Sequence, residues 1–144
     1  MNKLDRLYID DEDKELYEKI RNEIFKNKDN KDLFLFAMAK GFKVHKRSPL
    51  QKKFGFVRTE YLLPQDRALL NAIAIYEKGS EDVLLNEEEV FQIAEEYAHY
   101  GIQILKGELE TSQFGSFDKK LEKELFELFQ GLALDKNGEE NPLS

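Results

Sequence analysis

The stretch NKDLFLFAMAKG (Asn30–Gly41) decides the fold. Every position from Leu33 to Ala39 is apolar, so no face of this segment is suited to water. A helix that is apolar all round belongs inside a bundle. The reading is a buried central helix, capped by Asn30 and ended by Gly41 at its C′ position. Lys40 and Lys43 stand at its carboxyl end, where the helix dipole favours cations.

On the amino-terminal side, LDRLYI (Leu4–Ile9) reads as a short strand-like lead-in. Leu7 and Ile9 would face one side, Arg6 and Tyr8 the other. Asp10 or Asp11 then caps a first helix that runs to about Phe25. Its acidic first turn complements the positive end of the dipole, and its apolar face is Leu16, Ile20 and Ile24.

Beyond the central helix comes KGFKVHKRSPLQKKFGFVR, Lys40–Arg58. Lys40, Lys43, Lys46, Arg47, Lys52, Lys53 and Arg58 supply its charge, and it contains no acid. The whole chain carries 29 acidic against 22 basic residues, so this is a positive island on a negative protein. Ser48-Pro49 breaks a helix, and Gly55 weakens a strand over Phe54–Tyr61. The segment therefore reads as an ordered loop with a short extended piece.

Pro64 opens a third helix to about Lys78, with Leu69, Leu70, Ile73, Ala74 and Tyr76 on its apolar side. Ser80 caps a short turn through Leu85. Asn86 and Glu89 match a capping box for a long fourth helix, Glu87 to Leu109. Its stripe is Val90, Ile93, Ala94, Tyr97, Ala98, Ile102 and Leu105. Gly101 inside that stripe marks a kink or a close crossing with another helix. A fifth helix is expected from a Ser116 cap to about Leu134, burying Leu121, Leu125, Leu128, Phe129 and Leu132. The fold class is mainly all-α: a compact bundle of about five helices with a short strand at the amino end. Residues 1–136 form one helical domain, and 137–144 a polar, mobile tail.

With 144 residues, the chain is long enough for folding to bury roughly 70% of its unfolded surface, a full core without staples. It contains no cysteine, which excludes disulfides, thiolate metal sites and cysteine catalysis and fits a reducing cytoplasm. No apolar run approaches the roughly 20 residues of a membrane helix. The start lacks an apolar core of signal-peptide length. A net charge of −7 argues against indiscriminate coating of DNA but leaves room for a local basic patch.

Candidate chemistry is sparse. His45 and His99 are the only histidines. Glu95 and His99, spaced i, i+4, could share a helix face and a metal. A partly exposed helical histidine is the simpler reading, and no cofactor or metal is expected. No HExxH, GxSxG or P-loop pattern occurs. The basic island is the one distinctive feature. Lys43, Lys46, Arg47, Lys52, Lys53 and Arg58 are candidates for contact with phosphate, with Phe54 against sugar or base, or for docking on an acidic partner or on this protein's own acidic helices; a solvated loop is the plain alternative. Neither a nucleophile nor a general base stands near it, so it reads as a docking surface. The strand–helix–helix order at the amino end also allows a ribbon-helix-helix regulator, with Arg6 and Tyr8 as readers. Against this, four acids follow the strand at once.

The segments DLFLFAMAKGFK, KRSPL, ALLNAIAIYEKGSEDVL and EEYAHYGIQIL resemble the DNA phosphorothioation (Dnd) system-associated protein 4 family of small bacterial proteins. The similarity spans about Asp32 to Leu109. It leaves the first 30 residues and the acidic carboxyl third outside. Members accompany the genes that replace a phosphate oxygen of DNA with sulfur, and linked restriction genes. The resemblance implies a non-enzymatic accessory role in a DNA-modification, restriction and phage-defence locus, and it brings no catalytic residues. Its partners would be DNA or a DNA-processing protein, with no membrane. The rival expectations are a structural adaptor subunit and an antitoxin-like regulator.

Overall fold

The computed structural model describes residues 3–111 and 123–131. Its elements are strand β1 (Arg6–Asp10), helix α1 (Lys14–Glu23), helix α2 (Asn30–Lys43), strand β2 (Lys53–Arg58), helix α3 (Pro64–Lys78), helix α4 (Glu87–Thr111) and helix α5 (123–131). Among the described residues, a 3-10 turn at Lys3–Asp5 precedes β1, and three more, Asp11–Asp13, Thr59–Tyr61 and Glu81–Leu85, join neighbouring elements. The expected Ser116 cap, Leu121, Leu132 and the polar tail lie outside the described residues.

α2 is the central helix, with ten consecutive residues buried from Leu33 to Phe42. Its ends differ from the sequence reading. The N-cap is Asp29, whose carboxylate accepts from the Asp32 amide at 3.0 Å. Asn30 instead ties α2 to its surroundings. Its side-chain oxygen takes a hydrogen bond from Arg21, and its nitrogen donates to the Phe56 carbonyl at 3.0 Å. Gly41 does not end the helix, which continues to Lys43. The left-handed residue is His45, at φ 57°. The His45 amide donates to Phe42 O and the Lys46 amide to Gly41 O, closing the helix end as glycine usually does. The imidazole packs edge-on against Phe42 and Tyr76, each at 5.4 Å, which helps hold a histidine in this conformation.

Gly41 is needed elsewhere, where α2 crosses α4. A Cβ on Gly41 would lie 2.2 Å from the Tyr97 carbonyl oxygen, and one on Gly101 would lie 1.7 Å from the Ala37 carbonyl oxygen. The two helices meet backbone to backbone at a pair of glycines. Of the two meanings open for Gly101, close crossing is the one observed. The seven stripe residues assigned to α4 from its sequence are all buried.

β1 and β2 pair antiparallel, with Leu7 opposite Val57, Tyr8 opposite Gly55 and Ile9 opposite Phe54. The register shifts between Leu7 and Tyr8, so Phe56 is the extra residue of a bulge. Leu7, Ile9 and Val57 are buried against the helices. The end of the basic island is thus a full strand, and Gly55 sits beside the bulge. β1 takes β2 of its own chain as partner, whereas a ribbon-helix-helix dimer would pair it with a second copy.

Two details of the helix faces differ from expectation. Tyr76 is 56% exposed, since it lies on the rim of α3. Leu125, Leu128 and Phe129 of α5 are half-buried, because α5 covers the core from outside.

Lys40, one of the island cations, is buried within α2. Its Nζ meets Glu108 Oε2 at 2.9 Å and Glu124 Oε1 at 2.6 Å, tying α2 to α4 and α5. Burial works to raise the Glu124 pKa, but the Lys40 bond and charge, with Lys43 beside it, hold it below the usual glutamate value. Lys40→Met is expected to destabilise the fold by about 2 kcal/mol, because two neighbouring carboxylates lose their shared cation. That is below the 3–5 kcal/mol of a fully buried pair, since both carboxylates keep some solvent. Urea denaturation of K40M and K40M/E124Q checks this, and the double variant should recover much of the loss.

Candidate functional site

The loop after α2 is held at both ends. At its start, Arg47 reaches Glu96 Oε1 at 2.7 Å and Glu77 Oε2 at 3.1 Å. Glu77 also accepts from the Tyr97 hydroxyl. That bond is the largest influence on Glu77, and with Arg47 it overcomes burial to lower the carboxyl pKa. The Ser48 amide donates to the Glu96 carbonyl at 3.2 Å. At its far end, the Gln51 amide donates to Asp10 Oδ2 at 2.7 Å, and the Asp11 amide donates to Lys52 O at 2.8 Å.

The island cations therefore divide by environment. Lys40 is engaged inside the protein, and Arg47, half-buried, is held by Glu77 and Glu96. Lys43 is exposed but stands 3.5 Å from Glu124, and Arg58 is 3.3 Å from Glu60. Lys53 lies over the Tyr8 ring at 5.6 Å. Phe54 is 38% exposed and carries the Lys14 ammonium 4.4 Å above its ring. Lys46 and Lys52 are exposed and have no acidic partner among the described residues.

A second group of polar residues runs along α4. Glu95, His99 and Gln103, four apart, share one face of the helix. They meet the backbone and side chains of the amino-terminal segment. Glu95 Oε2 accepts from the Tyr8 amide at 2.9 Å. Glu95 is buried, and burial pushes its carboxyl up to about 7, with the Tyr8 amide and Lys53 partly opposing. It lines a cleft of about 300 Å³ with Arg6, Tyr8, Lys53 and Gln92.

One turn further, His99 Nδ1 lies 2.7 Å from Asp13 Oδ2, and Gln103 Nε2 donates to Asp13 Oδ1 at 3.0 Å. Burial raises the Asp13 pKa despite its bond to His99. Burial also acts to raise Asp10, but the amides of Gln51 and Glu12, with His99, outweigh it and hold Asp10 below the usual aspartate range. Glu95 and His99 do share a face, as their spacing says, yet they do not converge. Glu95 turns to β1 and His99 to the 3-10 turn. Sequence reasoning missed Asp10, Glu12, Asp13 and Gln103 as neighbours of His99. The available signals were the four-acid run and the Glu95–His99–Gln103 spacing.

No helix among the described residues is long and apolar enough to cross a membrane. The architecture defines a small α-rich protein, two helices crossed at paired glycines with an amino-terminal ribbon clasped to the second. The model of the family described as DNA sulphur modification system-associated protein 4 matches residues 6–129, and the chain belongs to that family. The match is wider than the segments that carry the resemblance. It takes in both strands, α1 and most of α5. No curated protein and no solved structure matches the chain.

Proposed function

We propose that this chain is a non-enzymatic accessory protein of a DNA sulphur modification and restriction system, working in the cytoplasm by docking on DNA. Family membership supports the association with DNA sulphur modification. The observation that carries the docking surface is the state of Lys46 and Lys52. Both are exposed cations without acidic partners among the described residues, on a loop fixed by Arg47 and Asp10. A pre-ordered loop loses little entropy on binding. Lys43, Lys53 and Arg58 add charge around it, and Phe54 offers a ring beside the phosphates. Lysine contacts to phosphate position a protein without reading sequence, so binding should be weak and indifferent to base order.

Fluorescence anisotropy with duplex DNA at several salt concentrations tests this. With five phosphate contacts, log K is expected to fall against log salt with a slope of about −4.5. Absence of binding at low salt contradicts the proposal.

A second reading, an adaptor for a partner protein, is favoured by an apolar groove of about 740 Å³ lined by Phe42, Ile75, Tyr76, Leu84 and Leu128. On that reading duplex DNA alone gives no salt-dependent signal.

A further inference from the structure

We propose that Asp10, Glu12 and His99 form a binding site for a divalent transition metal of the Zn²⁺ or Mn²⁺ kind. One ligand atom from each lies within 4.8 Å of the others. His99 Nε2 stands 3.8 Å from Asp10 Oδ2 and 3.9 Å from Glu12 Oε2. Both distances are too long for hydrogen bonds and slightly too long for a filled coordination shell, so a modest inward shift completes the site.

The surroundings are those of a built site. The His99 side chain is nine-tenths buried, and Asp13 beside it is 1% exposed. Asp13 takes the Nδ1 side of the ring at 2.7 Å and is itself fixed by Gln103 at 3.0 Å. A carboxylate on one ring nitrogen selects the tautomer with its lone pair on the other, and it increases that nitrogen's basicity toward a metal. Here the second nitrogen points at two carboxylates. Asp10 is equally constrained. Its Oδ1 accepts from the Glu12 amide at 3.1 Å and its Oδ2 from the Gln51 amide at 2.7 Å, and the Lys52 amide also bonds the carboxylate. Glu12 is 69% exposed, so it can swing in as the third ligand and leave water a fourth position. One imidazole with two carboxylates suits Zn²⁺ or Mn²⁺ better than Mg²⁺ or Ca²⁺, which take oxygen ligands alone. The metal would clip the amino-terminal segment to α4 beside the anchor of the basic loop.

The competing arrangement is the same cluster, His99 among three carboxylates, with no metal. Tag-free, chelator-treated protein titrated with Co²⁺ and Zn²⁺ separates the two. One equivalent of Co²⁺ should give visible absorption bands of a nitrogen–oxygen site. Saturating Zn²⁺ should raise Tm by roughly 5 °C. Glu12→Gln, at an exposed position that leaves the fold intact, should weaken binding at least about tenfold. His99→Gln should abolish it, with its folding checked by circular dichroism. Asp13→Asn should weaken affinity by about 10-fold or more through the ring it positions. No stoichiometric binding to the wild-type protein overturns the proposal, as does binding unchanged in E12Q or retained in a folded H99Q.

Discussion

Replacing Gly101 by alanine is expected to destabilise the fold by about 3 kcal/mol, although alanine is the better helix former by about 1 kcal/mol. The added methyl would sit 1.7 Å from the Ala37 carbonyl oxygen and 2.7 Å from the Gly41 amide nitrogen. Both are backbone atoms of the buried helix α2, so no side chain can swing away. The helices must separate, and the close approach of Ala37 and Gly41 to α4 is lost. Gly107 on the same helix is the control. Nothing lies within 4 Å of a Cβ placed there, and the residue is exposed. Gly107→Ala should therefore stabilise by about 0.5–1 kcal/mol. The two substitutions are chemically identical, and opposite signs in chemical denaturation check the crossing. Equal effects would contradict it.

Between pH 4 and pH 8, Glu95 is expected to make the fold less stable by about 3 kcal/mol. Burial raises its folded pKa from 4.5 to about 7. In that window the folded chain holds a proton that the unfolded chain has released. The stabilising contribution is complete below about 4.5 and is lost as pH rises through about 7. Glu95→Gln keeps the acceptor for the Tyr8 amide but cannot ionise. Its stability should therefore be flatter over this range, and at pH 8 it should exceed that of the unchanged protein by about 2 kcal/mol. Urea midpoints at pH 5 and pH 8 for both proteins measure this. An unaltered pH slope in E95Q would show that the carboxyl is not held neutral by its site.

These two residues also mark what could be read from the chain. The α4 stripe was legible because helical period alone places Val90, Ile93 and Tyr97 on one face. Gly101 was legible as an exception within that stripe. Gly41 was not. Its position near the end of an apolar run suits a helix terminator equally well, and only the approach of α4 separates the two meanings. The β1–β2 pairing was hidden because it joins residues about 50 apart, and Gly55 argued against the second strand without its partner in view. Docking on the protein's own acidic helices was one open reading of the island, but the acids that hold Lys40 and Arg47, namely Glu108, Glu124, Glu77 and Glu96, lie too far along the chain for sequence to pair them. The His99 cluster was hidden for the same reason: Asp13 is 86 residues away. Local pattern fixed the helices, while charge pairing across the fold decided which basic residues stay available.

That division gives the proposed docking role its most direct test. Duplex DNA affinity should be compared at low salt for the unchanged protein, for Lys46→Glu with Lys52→Glu, and for Arg47→Ala. The double charge reversal is expected to lower affinity at least about tenfold and to reduce the salt slope by about 2, with stability unchanged. Arg47→Ala should lower stability, because Glu77 and Glu96 lose their cation, while leaving the salt slope nearly intact. Affinity unchanged in the double reversal would contradict DNA docking through this loop.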